Sequence, residues 1–199
     1  MPTPTLYYIR HGETEWNATG RFQGTQDIPL NDKGRGQAAD AGRVLGDLIK
    51  RNSHDHTLLP YVSSPLGRAR ETMELVRGAL TLPVAGYSLD PRLREIGYGQ
   101  WEGMTLPQME QHDAATFASR KADVWNVAAP GGESYASVTA RMQEWFEQLV
   151  GDTVVVAHGG TMRALMVALG VATPAEAAKT AIGQGVVYVF GDGAVTKYG

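Results

Sequence analysis

The sequence predicts an α/β fold: a mostly parallel central sheet with helices on both faces, an antiparallel hairpin at one edge and a small helical lid insertion. Three observations predict it. Short, β-rich apolar runs over residues 6–9 and 153–157 each deliver a histidine at their carboxyl end, strand-like and helix-like segments alternate between them, and the last two apolar runs flank Gly191, Asp192 and Gly193, a hairpin signature.

Taken in order, Leu6, Tyr7, Tyr8 and Ile9 form a buried strand. Arg10, His11, Gly12 and Glu13 follow at its carboxyl end, where open parallel sheets place their ligands. Residues 19–31 (TGRFQGTQDIPLN) are rich in Gly, Pro, Asn and Asp and read as an ordered loop. Asn31 or Asp32 then caps a helix over 33–50, with Ala38, Ala41, Val44, Leu45 and Leu48 at helical spacing. A polar connector over 51–57 holds His54 and His56, read as solvated. A second strand over 59–63 runs into Ser63, Ser64 and Pro65, and Leu66, Met73, Val76 and Leu80 mark the helix behind it.

A third, less regular strand is expected at 87–89. Residues 98–130 break the alternation, carrying Trp101, Trp125 and a helix expected from 106 to 121. An insertion after a strand's carboxyl end is a natural lid, where substrate choice is expected. His112, Arg120 and Lys121 lie in it and read more simply as solvated. A helix then runs from 134 to about 150 on Val138, Met142, Trp145, Phe146 and Leu149. The strand TVVVA over 153–157 ends in His158, Gly159 and Gly160, a helix spans 161–169, and strands over 186–190 and 194–198 close the chain.

Composition narrows the function. With 199 residues, 43% of them hydrophobic, the chain can bury one sizeable core, so a single domain over 1–199 with a lid at 98–130 is expected. A net charge of −3 argues against nucleic acid or an anionic membrane as partner. The absence of cysteine excludes disulfides, thiolate metal sites and cysteine nucleophiles. The start, MPTPTLYY, lacks a basic stretch with a long apolar core, and no eighteen apolar residues run together, so a cytoplasmic protein is expected.

Four strand-to-loop junctions carry ionisable groups: Arg10 with His11, Arg68, Glu95 and His158. Parallel strands bring such junctions to one rim. A guanidinium beside His11 biases its imidazole toward the neutral, nucleophilic form. Two planar guanidiniums suit a tetrahedral oxyanion that accepts bidentate hydrogen bonds, which points to phosphate. Read singly, each has a plain alternative: His158 as a core histidine, Arg68 and Arg70 as helix-surface charges, Glu95 as a partner of Arg92 or Arg94.

The segments RHGETEWN (10–17), RFQGTQDIPLNDKG (21–34), SSPLGRARET (63–72), LREIGYGQWEG (93–103) and VVAHGG (155–160) resemble, in order, the motifs of the histidine phosphatase, or phosphoglycerate mutase-like, superfamily. The resemblance implies that His11 attacks phosphorus and becomes a phosphohistidine, with Arg10, Arg68 and a protonated His158 holding the phosphoryl oxygens. It implies Glu95 as proton donor, Asn17 as a residue ordering the pocket, Gln23 and Gly24 on the substrate-side loop, and Gly159 among the phosphate-binding set. No cofactor is implied. His11, His158 and Glu95 could also ligate a metal, but the neighbouring arginines repel a divalent cation, so none is expected.

The phosphohistidine has two fates, water or a second hydroxyl of the substrate. Mutases of the family carry a basic residue where this chain has Leu106 and a C-terminal tail beyond the point where this chain stops at Gly199. Both departures favour a phosphatase acting on a small phosphorylated metabolite, ahead of a cofactor-dependent phosphoglycerate mutase and of a catalytically silent phospho-ligand sensor. An exposed hairpin edge is a surface through which a homodimer could pair.

Overall fold

The computed structural model describes residues 4–52 and 54–199; residues 1–3, at the start read for a leader, and Ser53 of the polar connector lie outside the described residues. Six strands, β1 (Leu6–Arg10), β2 (Tyr61–Ser63), β3 (Ser88–Leu89), β4 (Thr153–Ala157), β5 (Val187–Gly191) and β6 (Ala194–Tyr198), form one sheet in the order β3-β2-β4-β1-β5-β6. The first four in that order are parallel, and β5 and β6 run antiparallel at one edge. This is the mixed, mostly parallel sheet expected.

Side chains alternate across a strand, so β1 and β4 serve two cores at once. Tyr7, Ile9, Val154 and Val156 pack with Ala41, Leu45, Met73 and Val76 from α2 (Asp32–Arg51) and α3 (Gly67–Ala79). Leu6, Tyr8, Val155 and Ala157 pack with Val138, Met142, Trp145 and Leu165 from α6 (Tyr135–Glu147) and α7 (Gly159–Ala168) on the other face. Burial on both faces is why TVVVA reads as an unbroken apolar run rather than an alternating one. The register sets the functional end: Arg10 pairs with Ala157 and Ser63 with Val156, so β1, β2 and β4 stop at one level.

Three local expectations change. The helix expected over 106–121 is two helices, α4 (Leu106–His112) and α5 (Ala114–Ala122), because Asp113 leaves helical geometry and its carboxylate accepts the Thr116 amide at 3.0 Å, capping the second. Two short helices were not anticipated: α1 (Glu15–Ala18), opened by a reciprocal Thr14–Asn17 capping box, and α8 (Pro174–Lys179), opened by Thr173 and Glu176. His54 is half-buried rather than solvated, edge-on to the Tyr7 ring with Nε2 3.5 Å from Asp152. The insertion over 98–130 is anchored by tryptophans, with Trp101 buried and Trp125 stacked on Tyr135 at 4.9 Å. Among the described residues no helix is long and apolar enough to cross a membrane.

The loop after β1 is clamped on the start of α2 by two glycines. A Cβ at Gly12 would lie 2.2 Å from the Gly34 carbonyl oxygen, and one at Gly34 would lie 2.1 Å from the Glu13 carbonyl oxygen, backbone against backbone. Gly36, in the same helix, is exposed with nothing within 4 Å of its Cβ position. Gly34→Ala should therefore lower unfolding free energy by about 1–3 kcal/mol through overpacking, while Gly36→Ala raises it by about 0.5–1 kcal/mol through helix propensity. Equilibrium urea unfolding of the two variants checks the opposed signs.

Candidate active site

At the carboxyl ends of β1, β2 and β4 lies a cavity of about 240 Å³, whose lining includes Arg10, His11, Arg68, Glu95 and Gly159. His11 follows β1 directly, its amide donating to the Ala157 carbonyl at 3.0 Å. The ring is 1% exposed, and Nδ1 lies 2.7 Å from the Gly12 carbonyl oxygen. A carbonyl can only accept, so Nδ1 carries the proton and Nε2 keeps its lone pair. Burial first, then Arg68 and Arg10, push the imidazole well below its ordinary pKa of 6.5. His11 is thus neutral, as the sequence suggested, but chiefly by desolvation.

His158 caps α7 directly after β4, with its ring centroid 5.1 Å from that of His11. It is wholly buried behind the cavity lining, and Nε2 is 2.7 Å from the Ser64 hydroxyl at the end of β2. Burial, then Arg68, His11 and Arg10, hold it well below 6.5, so without a bound anion it is neutral; the protonated form expected above refers to the occupied site.

The guanidiniums are fixed by carbonyls rather than by carboxylates. Arg68, fully buried in the first turn of α3, donates to the carbonyls of Gln26 at 2.6 Å and Gly24 at 2.8 Å, and burial lowers it to about 10, still charged at neutral pH. Arg10 donates to Ile182. Among the described residues the Nε atoms of both arginines, and His158 Nδ1, are buried without a partner. At the amino terminus of α3, Gly67 N donates to the Asp27 carboxylate at 2.7 Å.

Glu95 is not paired with Arg92, which binds Asp90 at 2.7 Å. It lines the cavity, accepting from Ile96 N at 2.9 Å and Gly160 N at 3.2 Å. Asn17 reaches the cavity edge while its Oδ1 accepts from Thr14 N at 3.2 Å, and Gln23, also lining it, accepts from the Thr14 hydroxyl at 2.9 Å. Gly24 is held at φ 54 against Glu102, and Gly159 lies against Arg10. All nine expected residues converge, eight on the lining and His158 behind it.

Of the lid residues, His112 is exposed and faces another hollow. Arg120 is buried, not solvated: it donates to the Val127 carbonyl, over the Tyr98 ring at 5.8 Å. Sequence reasoning missed Ser64, Tyr98, Arg21, Gln184 and Arg163. Arg163 was findable, because it stands one helical turn after Gly159 and so on the same face of α7.

A sequence model of the histidine phosphatase superfamily (branch 1) matches residues 6–192. The chain belongs to that superfamily. It is 39% identical over 183 residues to a glucosyl-3-phosphoglycerate phosphatase of Mycolicibacterium vanbaalenii, covering 85% of this chain and 75% of the relative. It is also 32% identical over 201 residues to a 2,3-bisphosphoglycerate-dependent phosphoglycerate mutase of Bradyrhizobium sp. BTAi1, covering 96% and 92%. Among solved structures, a mycobacterial glucosyl-3-phosphoglycerate phosphatase in complex with VO3 superimposes with a TM-score of 0.76 at 34% identity, covering 94% of this chain and 92% of that one. This superfamily member is therefore similar both to phosphatases and to mutases.

The buried neutral imidazoles make stability depend on pH. Folded-state values below 6.5 mean that the unfolded chain takes up protons first, so stability is complete above about pH 6.5 and is lost as pH falls toward the folded values. Unfolding free energy measured between pH 7.5 and 5.5 should be flat at first and then fall with a slope approaching about 1.4 kcal/mol per pH unit for each of the two rings. A curve without decline down to pH 5.5 would contradict neutral burial.

Proposed function

We propose that this superfamily member is a metal-independent phosphomonoester hydrolase working through a phosphohistidine on His11, with residues 1–199 acting as one domain. One observation carries the reading. Among the described residues four buried side-chain nitrogens or oxygens have no hydrogen-bond partner, and three of them, Arg10 Nε, Arg68 Nε and His158 Nδ1, belong to the groups around the His11 ring. A buried donor left unpaired costs roughly 1–3 kcal/mol, and a phosphoryl group brings three strong acceptor oxygens. The VO3 complex of the mycobacterial relative, an oxyanion complex on the same fold, supports the assignment.

In the proposed reaction the Nε2 lone pair of His11 attacks phosphorus as the bond to the ester oxygen breaks. The substrate is already a dianion, so a neutral nucleophile avoids the repulsion that hydroxide would meet. Nδ1–H, bonded to the Gly12 carbonyl, delocalises the positive charge of the phosphorylated ring. Arg10 and Arg68 hold the equatorial oxygens by position and charge. His158 donates from Nδ1, with the Ser64 hydroxyl turned to donate to Nε2. Glu95 in its acid form protonates the leaving oxygen, then as carboxylate takes a proton from the water that displaces His11 and releases inorganic phosphate. The concentrated guanidinium charge opposes a divalent cation at the same place.

Leu106, where the family's mutases carry a basic residue, is neutral and half-exposed, so it cannot hold a substrate carboxylate; this favours hydrolysis. The mutase reading draws on the Bradyrhizobium relative, matched over 96% of this chain. Coupled assays separate the two: with phosphoglycerates, phosphate release should outpace isomer interconversion. His11→Ala should lower kcat by at least about 10⁴-fold. Glu95→Gln should slow alkyl phosphates by about 10²–10⁴-fold but leave 4-nitrophenyl phosphate, whose leaving group needs no proton, within about tenfold. Equal slowing of both esters would remove Glu95 as the acid.

A further inference from the structure

The structure assigns a second cavity, beside the His11 pocket, to the alcohol portion of the substrate, and we infer that this portion is a ring-sized apolar body carrying an anionic group. The inference rests on the hydrolase reading, which seats the phosphoryl group against His11. The pocket there, at about 240 Å³, is smaller than the roughly 300–1,000 Å³ of most small-molecule sites and is walled largely by polar groups. A phosphoryl group with a small alcohol fits there, and a larger alcohol must extend beyond it. Next to it lies a cavity of about 510 Å³ that shares Phe22, Tyr98 and Arg163 with it, so a monoester seated at His11 has its leaving group at this boundary.

The chemistry of that cavity is specific in two ways. Trp101, Leu106, Met109, Phe117 and Val124 make its wall apolar, so a polyol placed there would shed its water without replacement, at roughly 1–3 kcal/mol per unpaired hydroxyl. The charged groups lining it, Arg120, Lys121 and Arg163, are all cations, with no Asp or Glu among them. Among the described residues none of the three forms a salt bridge. Arg163 is steadied by the Thr180 carbonyl at 3.0 and 3.2 Å and Arg120 by that of Val127, which fixes the guanidiniums without neutralising them. The fourth unpartnered buried atom among the described residues belongs to a residue of this lining: Nε1 of Trp101, a side chain 1% exposed. Apart from the tyrosine hydroxyls, every polar side-chain atom on the lining is a donor, and what such a set lacks is an acceptor bearing negative charge.

The test compares phenyl, 2-naphthyl and 6-carboxy-2-naphthyl phosphates, whose leaving groups have similar acidity, with the matching aryl-methylphosphonates and a 3,4-dihydroxybutylphosphonate as non-hydrolysable ligands. kcat/KM should rise about tenfold from phenyl to naphthyl, the gain expected for burying a second ring, and by a further fivefold or more with the carboxylate. Phosphonate affinities should follow the same order, with the dihydroxybutyl compound weakest. Lys121→Glu, at an exposed position, should abolish the carboxylate gain while keeping the naphthyl gain. Equal kcat/KM for the three aryl esters, or a dihydroxybutylphosphonate that binds as well as the naphthyl one, overturns the inference and leaves the hydrolase reading standing. An unchanged carboxylate preference in Lys121→Glu overturns the anionic half. No turnover with the phosphonate order intact overturns the hydrolase reading and keeps the cavity assignment; no turnover with flat affinities overturns both.

Discussion

Two imidazoles and two guanidiniums share one water-poor space at the ends of β1, β2 and β4, and they cannot all be charged. Arginine holds its proton even when burial lowers it, whereas histidine sits near neutrality and yields. The conflict is therefore resolved on His11 and His158, whose rings lie 5.1 Å apart and are both driven well below 6.5. A site that keeps its cations on arginine and its lone pair on histidine is matched to a dianionic ester. In the proposed reaction the arriving charge relieves the repulsion, and the nucleophile needs no deprotonation.

The rest of the fold keeps that arrangement from relaxing. Pairing of Arg10 with Ala157 and of Ser63 with Val156 fixes the level at which His11, Ser64 and His158 emerge. The Tyr8 hydroxyl, buried in the sheet, donates to the His158 carbonyl at 2.7 Å and pins the turn into α7. Arg68 is anchored by the carbonyls of the 24–26 loop, and that loop is tied to the insertion through Glu102, which accepts from Thr25 N at 2.9 Å and Gln26 Nε2 at 3.0 Å. The insertion thus lines the apolar cavity and braces the loop behind the proposed phosphoryl site as well.

The histidine-bearing ends of β1 and β4 were legible because a strand buried on both faces must be apolar throughout, so the first polar residues after it mark the rim. Arg68 and Glu95 needed motif order as well, since a helix-surface arginine and a salt-bridged glutamate look the same in isolation. The charge state of His158 was not legible: it depends on complete burial and on Arg68, contributed from another element. The break at Asp113 was hidden by good helix formers on both sides of a residue that caps with its side chain. Nor could the second cavity be read, since Phe22, Tyr98, Phe117, Tyr135 and Arg163 come from separate segments and no spacing joins them.

His11 rests neutral, with its proton on Nδ1 and its lone pair on Nε2. Long-range ¹⁵N–¹H NMR of the imidazole nitrogens, followed from pH 8 to 5.5 in protein free of phosphate, observes this state directly. Across that whole range His11 should show a protonated Nδ1 and an unprotonated Nε2. A ring that titrates near pH 6.5, or one that carries its proton on Nε2, would contradict it.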